Sequence, residues 1–161
     1  MKRIFASIMI VAVLSVSFIG FSGVGLDNKV EAASQNVGSL DAFRVHYNGK
    51  SANLSVSGWH AATGVVWAHY SYIFVMNYNT GLEIARFKAT QTNRPDVYRV
   101  YPNISISNQS GFSGSMNFNP FDSRWYNQRI YIMHRYSLNS NGERSVSDYH
   151  FPSNGGVWTS N

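Results

Sequence analysis

The chain has 161 residues, of which 44% are hydrophobic, 15% aromatic and only 13% charged, with a net charge of +5 and no cysteine. That length fits one domain with an appendage, and the missing cysteine excludes disulfides, thiolate metal sites and a cysteine nucleophile. So low a charged fraction, beside 10 Tyr, 10 Phe and 4 Trp, excludes a disordered chain.

The first segment predicts the compartment. Lys2 and Arg3 precede an apolar run from Ile4 to about Ile19, and Val30-Glu31-Ala32 puts small residues where a signal peptidase reads. Residues 1–32 therefore read as a secretory signal peptide, cleaved after Ala32. Gly20, Ser22, Gly23 and Gly25 dilute the run and argue against a membrane anchor. The expected product is secreted, extracellular or associated with the cell wall, with no stable membrane insertion once the signal is removed. A cysteine-free exported domain of this size suits a Gram-positive bacterium. Residues 33–39 read as a flexible leader, 40–152 as the folded module, and 153–161 as a C-terminal tail.

Within 40–152 apolar residues alternate at period two, and helical spacing is almost absent. Phe43, Val45 and Tyr47 predict a strand, and Asn48-Gly49 a tight hairpin. Leu54 and Val56 lie on the return strand. Tyr70 to Tyr78 is apolar or aromatic at nearly every position, as expected of a central strand covered on both faces. Asn79-Thr80-Gly81 predicts a turn into a strand over Leu82 to Ala89. Phe112, Met116 and Phe118 mark another strand, and Ile130 to Tyr136 a further one, closed by Asn139-Ser140-Asn141-Gly142. A weaker strand follows near Val146 to Phe151. The long connection Thr90 to Ser110 holds the one expected helix, with Asn93 as its cap, Pro95 and Asp96 in its first turn, and Pro102 as its stop. The predicted fold is all-β: a two-sheet antiparallel, immunoglobulin-like sandwich of about seven strands with one short helix.

The motifs of serine hydrolases, zinc peptidases, phosphate-binding loops and calcium loops are all missing. His46, His60, His69, His134 and His150 are too widely spaced for a local metal pair, so no metal, cofactor or catalytic residue is expected. Glycoside hydrolysis needs two facing carboxylates, for which only Glu83 and Asp122 lack an ordinary explanation. Binding is better supported. The segment from Gly58 to Tyr70 carries Trp59, His60, Trp67, His69 and Tyr70 in an expected inter-strand loop, and Trp125 with Tyr126 lies in a second loop. Aromatic faces beside polar groups suit sugar rings, and the arginine excess suits anionic wall polymers. Scattered basic residues on an exported chain argue against nucleic acid.

Ser57-Gly58-Trp59-His60-Ala61 also resembles the opening of a β-module found in secreted surface proteins, peptidoglycan hydrolases and phage lysins of lactic acid bacteria and relatives. The resemblance continues through Thr80-Gly81, Glu83-Ile84-Ala85-Arg86, Arg94-Pro95-Asp96-Val97, Tyr101-Pro102, Ser110-Gly111-Phe112 and Arg135-Tyr136, in the same order and approximate spacing. It implies an accessory module of the cell envelope with no catalytic role. The chain departs from the family pattern in carrying one copy and no recognisable enzyme. Ser57, Gly58, Arg86, Arg94, Pro95, Asp96, Tyr101, Gly111, Arg135 and Tyr136 are expected to be mainly structural. The leading expectation is a non-catalytic module binding cell-wall polysaccharide, peptidoglycan or teichoic acid. A bacteriocin-like antibacterial protein and a cell-wall hydrolase stand as alternatives.

Overall fold

The computed structural model describes residues 33–152 and 157–159, and the expected signal peptide lies outside the described residues. Strands β1 (Asn36–Asn48), β2 (Ser51–Ala62), β3 (Tyr70–Asn77), β4 (Glu83–Lys88) and β5 (Thr90–Thr92) precede helix α1 (Pro95–Val100). Strands β6 (Gly111–Phe118), β7 (Arg129–Ser137), β8 (Ser145–Phe151) and β9 (Val157–Trp158) follow it. They form two antiparallel sheets, ordered β1-β2-β6-β5 and β4-β3-β7-β8, with β9 extending the β8 edge by pairing with the start of β7. The predicted all-β sandwich with one short helix is what forms.

Alternation explains how the sheets meet. Leu54 and Val56 of β2, Phe112 and Phe118 of β6, Ile73 and Val75 of β3, and Ile130 and Ile132 of β7 all turn inward and pack as one core. Asn48-Gly49 turns β1 into β2, with Gly49 at φ +61° as that turn requires. β3 is paired on both sides and its outer face is buried as well, where Tyr72, Phe74 and Met76 cluster with Met133. The cover comes from the β7–β8 turn. Tyr72 donates its hydroxyl proton to the Ser140 carbonyl, and Gly142 lies so close that a Cβ there would sit 2.9 Å from the Tyr72 ring. The guanidinium carbons of Arg86 and Arg135 lie 4.9 and 4.6 Å from the Phe74 centroid.

Several expectations are corrected. Nine strands form among the described residues where about seven were predicted, because three-residue β5 and two-residue β9 are too short to show a period. The supposed leader is in part strand: Asn36 to Ser39 pairs with Ala62 to Trp59. Val157–Trp158 and Thr159 belong to the sandwich rather than to a tail. Trp158 pairs with Arg129, its carbonyl accepts from the Tyr47 hydroxyl at 3.0 Å, and Thr159 is fully buried. The helix starts at Pro95 as expected, but its cap is Arg94, which makes no capping side-chain bond, and not Asn93.

Candidate functional site

The aromatic segments separate into core and surface. β2 runs on to Ala62, so Trp59 and His60 lie in a strand and not in the expected loop. His60 points into the sandwich and is fully buried, whereas Trp59 is half-buried with its ring tilted against Tyr101 at 5.7 Å. The true loop is short, residues 63–69. There His69 accepts a hydrogen bond from the Val66 amide at 3.2 Å, and Trp67 is 52% exposed. Tyr70, at the start of β3, is partly exposed beneath the Lys88 ammonium, which lies 5.6 Å from its ring centroid. Trp125 is a core residue, 3% exposed and stacked on Phe118 at 4.2 Å, while its neighbour Tyr126 is exposed. The two loops do not converge. Tyr70 is paired with Ser137 and Asn77 with Ile130, so the segments holding Trp67 and Tyr126 lie at opposite ends of β3 and β7. Seven strand steps place those ends about 24 Å apart.

The residues that carry the family resemblance form the internal scaffold. Arg94 ties α1 to β1, with ion pairs of 2.7 Å to both Asp96 and Asp41. Its hydrogen bond holds the Asp96 carboxyl down to about 2. Arg94 also lies over Gly111, where a Cβ would come within 2.9 Å of its Cγ. Gly58 permits the Ser39 carbonyl to pass 2.5 Å from where a Cβ would stand. Arg135 pairs with Asp148 at 2.6 Å, and Arg86 with Glu83 at 2.7 Å. The buried Tyr136 hydroxyl donates to the His60 carbonyl at 2.7 Å. Ser57 sits on the outer side of β2, opposite Ser113.

Between the sheets lies a chain of buried polar groups centred on His60 and His134. The Asn36 amide nitrogen donates to the Asp148 carbonyl at 2.9 Å, which turns its oxygen toward His60 Nε2 at 2.7 Å. His60 therefore carries its proton on Nε2, leaving Nδ1 to accept. His134 Nδ1 lies 2.9 Å from that atom and must donate, so His134 Nε2 accepts from the Ser71 hydroxyl at 2.7 Å. Every donor in the row Ser71, His134, His60, Asn36 points the same way when both imidazoles are neutral; a second proton on His60 would leave its Nδ1 facing a donor, and one on His134 would reverse the Ser71 bond. Burial lowers the His60 pKa to about 3 against a smaller opposing effect of Asp148. Burial and the neighbouring His60 push His134 well below its ordinary value. Phe112 stacks on His134 at 4.1 Å, and both histidines are fully buried, while Asn36 at the far end of the row is exposed. The arrangement contains serine and histidine, yet Ser71 is 2% exposed and out of reach of a substrate. It is a structural tie between the sheets.

Sequence reasoning overlooked His134 and Ser71, although period two places His134 in the inward row with Ile130, Ile132 and Tyr136. It also overlooked Tyr78, Leu82 and Phe121, exposed at the Tyr126 end. The suggested carboxylate pair is engaged elsewhere: Glu83 with Arg86, and Asp122 with Arg124 at 3.1 Å. Arg124 holds the Asp122 carboxyl below the usual range, the wrong direction for a general acid. Among the described residues no group of three His, Cys, Asp or Glu side chains could hold a metal, and no helix is long and apolar enough to cross a membrane. Compared with protein-family models, curated proteins and solved structures, the chain matches none.

Proposed function

We propose that the chain is a secreted, non-catalytic module of the cell envelope that binds wall glycan through the end of the sandwich bearing Trp67 and Tyr70. The observation that carries this reading is Trp67 itself, an indole 52% exposed on a loop anchored by buried Val65. A solvent-facing indole held on a fixed base offers a sugar ring a flat apolar face without ordering cost. Lys88 and Tyr70 beside the loop supply a cation and a phenol for hydroxyl, phosphate or carboxylate groups. One such stacking contact is worth about 1 kcal/mol, and a few with hydrogen bonds give micromolar to millimolar affinity. The resemblance to accessory modules of peptidoglycan hydrolases and lysins supports the same reading, as do the signal-like features of residues 1–32.

The test is sedimentation of the purified protein with sacculi, with and without teichoic acid, at low and high salt. The protein is expected in the pellet, and Trp67→Ala is expected to weaken sedimentation several-fold while leaving the fold intact. Equal sedimentation of the parent and Trp67→Ala would remove this end from the reading. A parent that stays in the supernatant under all conditions would reject glycan binding.

A further inference from the structure

The exposed large hydrophobic side chains are distributed between two poles. Val66, Trp67, Tyr70 and Leu138 lie at one end of the sheet, with Tyr98 and Val100 on α1, which packs against the same end through Val97 and Val65. Tyr78, Leu82, Phe121, Tyr126 and Trp158 lie at the other. Backbone and side-chain hydrogen bonds tie the segments that carry the second group. Tyr78 N–H donates to the Arg129 carbonyl at 2.7 Å, Asn77 Nδ2 to Gln128 Oε1 at 2.5 Å, and Trp158 pairs with Arg129. The flank between the poles is different. The outer row of β2 and β6 is Asn53, Ser55, Ser57, Ser113, Ser115 and Asn117, all short and uncharged.

The poles share one chemistry. Tyr70 and Tyr78 bracket β3, and each is 37% exposed. Each ring carries a cation on its face, Lys88 at 5.6 Å and Arg129 at 4.4 Å, and neither cation forms an ion pair among the described residues. Arg129 Nε is moreover buried and has no hydrogen-bond partner among them. A more exposed ring stands near each, Trp67 at one pole and Tyr126, 57% exposed, at the other. Beside the second pole a groove of about 260 Å³ is lined by Asn77, Thr80, Leu82, Glu83, Arg124 and Gln128. Amide, hydroxyl, carboxylate and guanidinium groups beside the apolar Leu82 side chain suit a sugar.

We propose that both poles bind the same ligand class, sugar rings carrying phosphate or carboxylate groups, so that one molecule bridges two glycan strands. Unpaired cations beside aromatic rings complement an acidic polysaccharide, and this complementarity occurs twice, about 24 Å apart on opposite ends of one strand. A rigid sheet between the poles keeps them from closing on a single short segment, so the second contact falls to another strand. The proposal rests on the glycan reading above and adds a second site and a bridging activity to it.

The experiment uses purified sacculi labelled in two colours, mixed with the protein, and counted as two-coloured particles by flow cytometry. Sedimentation is measured in parallel, each with and without teichoic acid. The parent is expected to sediment and to form two-coloured particles, with bridging maximal at intermediate protein and falling in excess as each pole fills separately. Trp67→Ala/Tyr70→Ala and Phe121→Ala/Tyr126→Ala should each retain sedimentation within about tenfold of the parent, since one pole remains. Both should lose two-coloured particles to the protein-free level. Combining all four substitutions should abolish sedimentation as well. A parent that sediments without bridging overturns this proposal and leaves the glycan reading standing. Undiminished bridging by either pole variant also overturns it, because the link must then arise from self-association. A parent that does not sediment overturns both.

Discussion

Acid should loosen this sandwich at a pH well above that at which its carboxylates titrate. The perturbation is a fall in pH from 7 to 4.5. His60 is held to about 3 by burial, and His134 well below its ordinary value by burial and His60. In the unfolded chain each imidazole titrates near 6.5. Between those values the unfolded state binds more protons than the folded one, so stability falls as pH falls. The loss begins near pH 6.5 and is complete only below the folded-state values. At pH 4.5, about two pH units below the unfolded value, His60 has withdrawn about 3 kcal/mol, and His134 adds a loss of the same sign. Against the whole stability of an ordinary domain, about 5–15 kcal/mol, that is a large share. The geometry gives the same sign. A proton added to His60 sets two N–H groups against each other across the 2.9 Å Nδ1 to Nδ1 contact, and one added to His134 falls on Nε2, where it reverses the Ser71 bond and leaves a charge in a buried site. Asp148, already paired with Arg135, is the acid that opposes the lowering of the His60 pKa, and the rings of Tyr136 and Tyr149 pack against His60. Asp96, Asp122 and Asp148, whose carboxyls are all held low, withdraw their contributions only below about pH 4, so pH 6.5 to 4.5 isolates the imidazoles. Urea unfolding followed by tryptophan fluorescence at pH 7, 5.5 and 4.5 should show a falling midpoint at constant slope. The double variant His60→Gln/His134→Gln, less stable at pH 7, should lose most of that pH dependence. An unchanged midpoint between pH 6.5 and 4.5, or an equal fall in the double variant, would refute the neutral pair.

Two further outcomes follow from packing. Trp125→Ala empties a buried site stacked on Phe118 and should cost about 3–5 kcal/mol, whereas Trp67→Ala should change stability by about 0.5 kcal/mol or less; thermal unfolding of both distinguishes the core indole from the surface one. Gly142→Ala meets both a φ of +79° and the Tyr72 ring at 2.9 Å, and should cost more than Gly49→Ala, where φ is +61° but space is open; urea unfolding should show a difference in unfolding free energy of about 1 kcal/mol or more.

The sequence alone determined the sandwich, because strand identity is a local property. Alternation at Phe43, Val45 and Tyr47 or at Phe112, Met116 and Phe118 assigns each side chain a face before any partner is known. Asn48-Gly49 and Gly81 mark turns because a positive φ is available chiefly to glycine, and Gly49 and Gly81 adopt it at +61° and +69°. Where the pattern was too short, as in β5 and β9, nothing local announced a strand. The destination of loop and network residues was decided only by tertiary structure. Trp67 and Trp125 look alike in sequence, yet one stays in solvent while the other stacks on Phe118 from a different strand. His60 and His134 stand 74 residues apart and become partners only when the two sheets close. Arg94 meets Asp41 across 53 residues only when the strands of one sheet assemble and bring the start of α1 beside β1. Whether the two aromatic loops share an end depends on strand pairing, and the antiparallel register of β3 with β7 sets them on opposite poles. Period and turn chemistry act over two to four residues, whereas a site is assembled by contacts between strands distant in the chain.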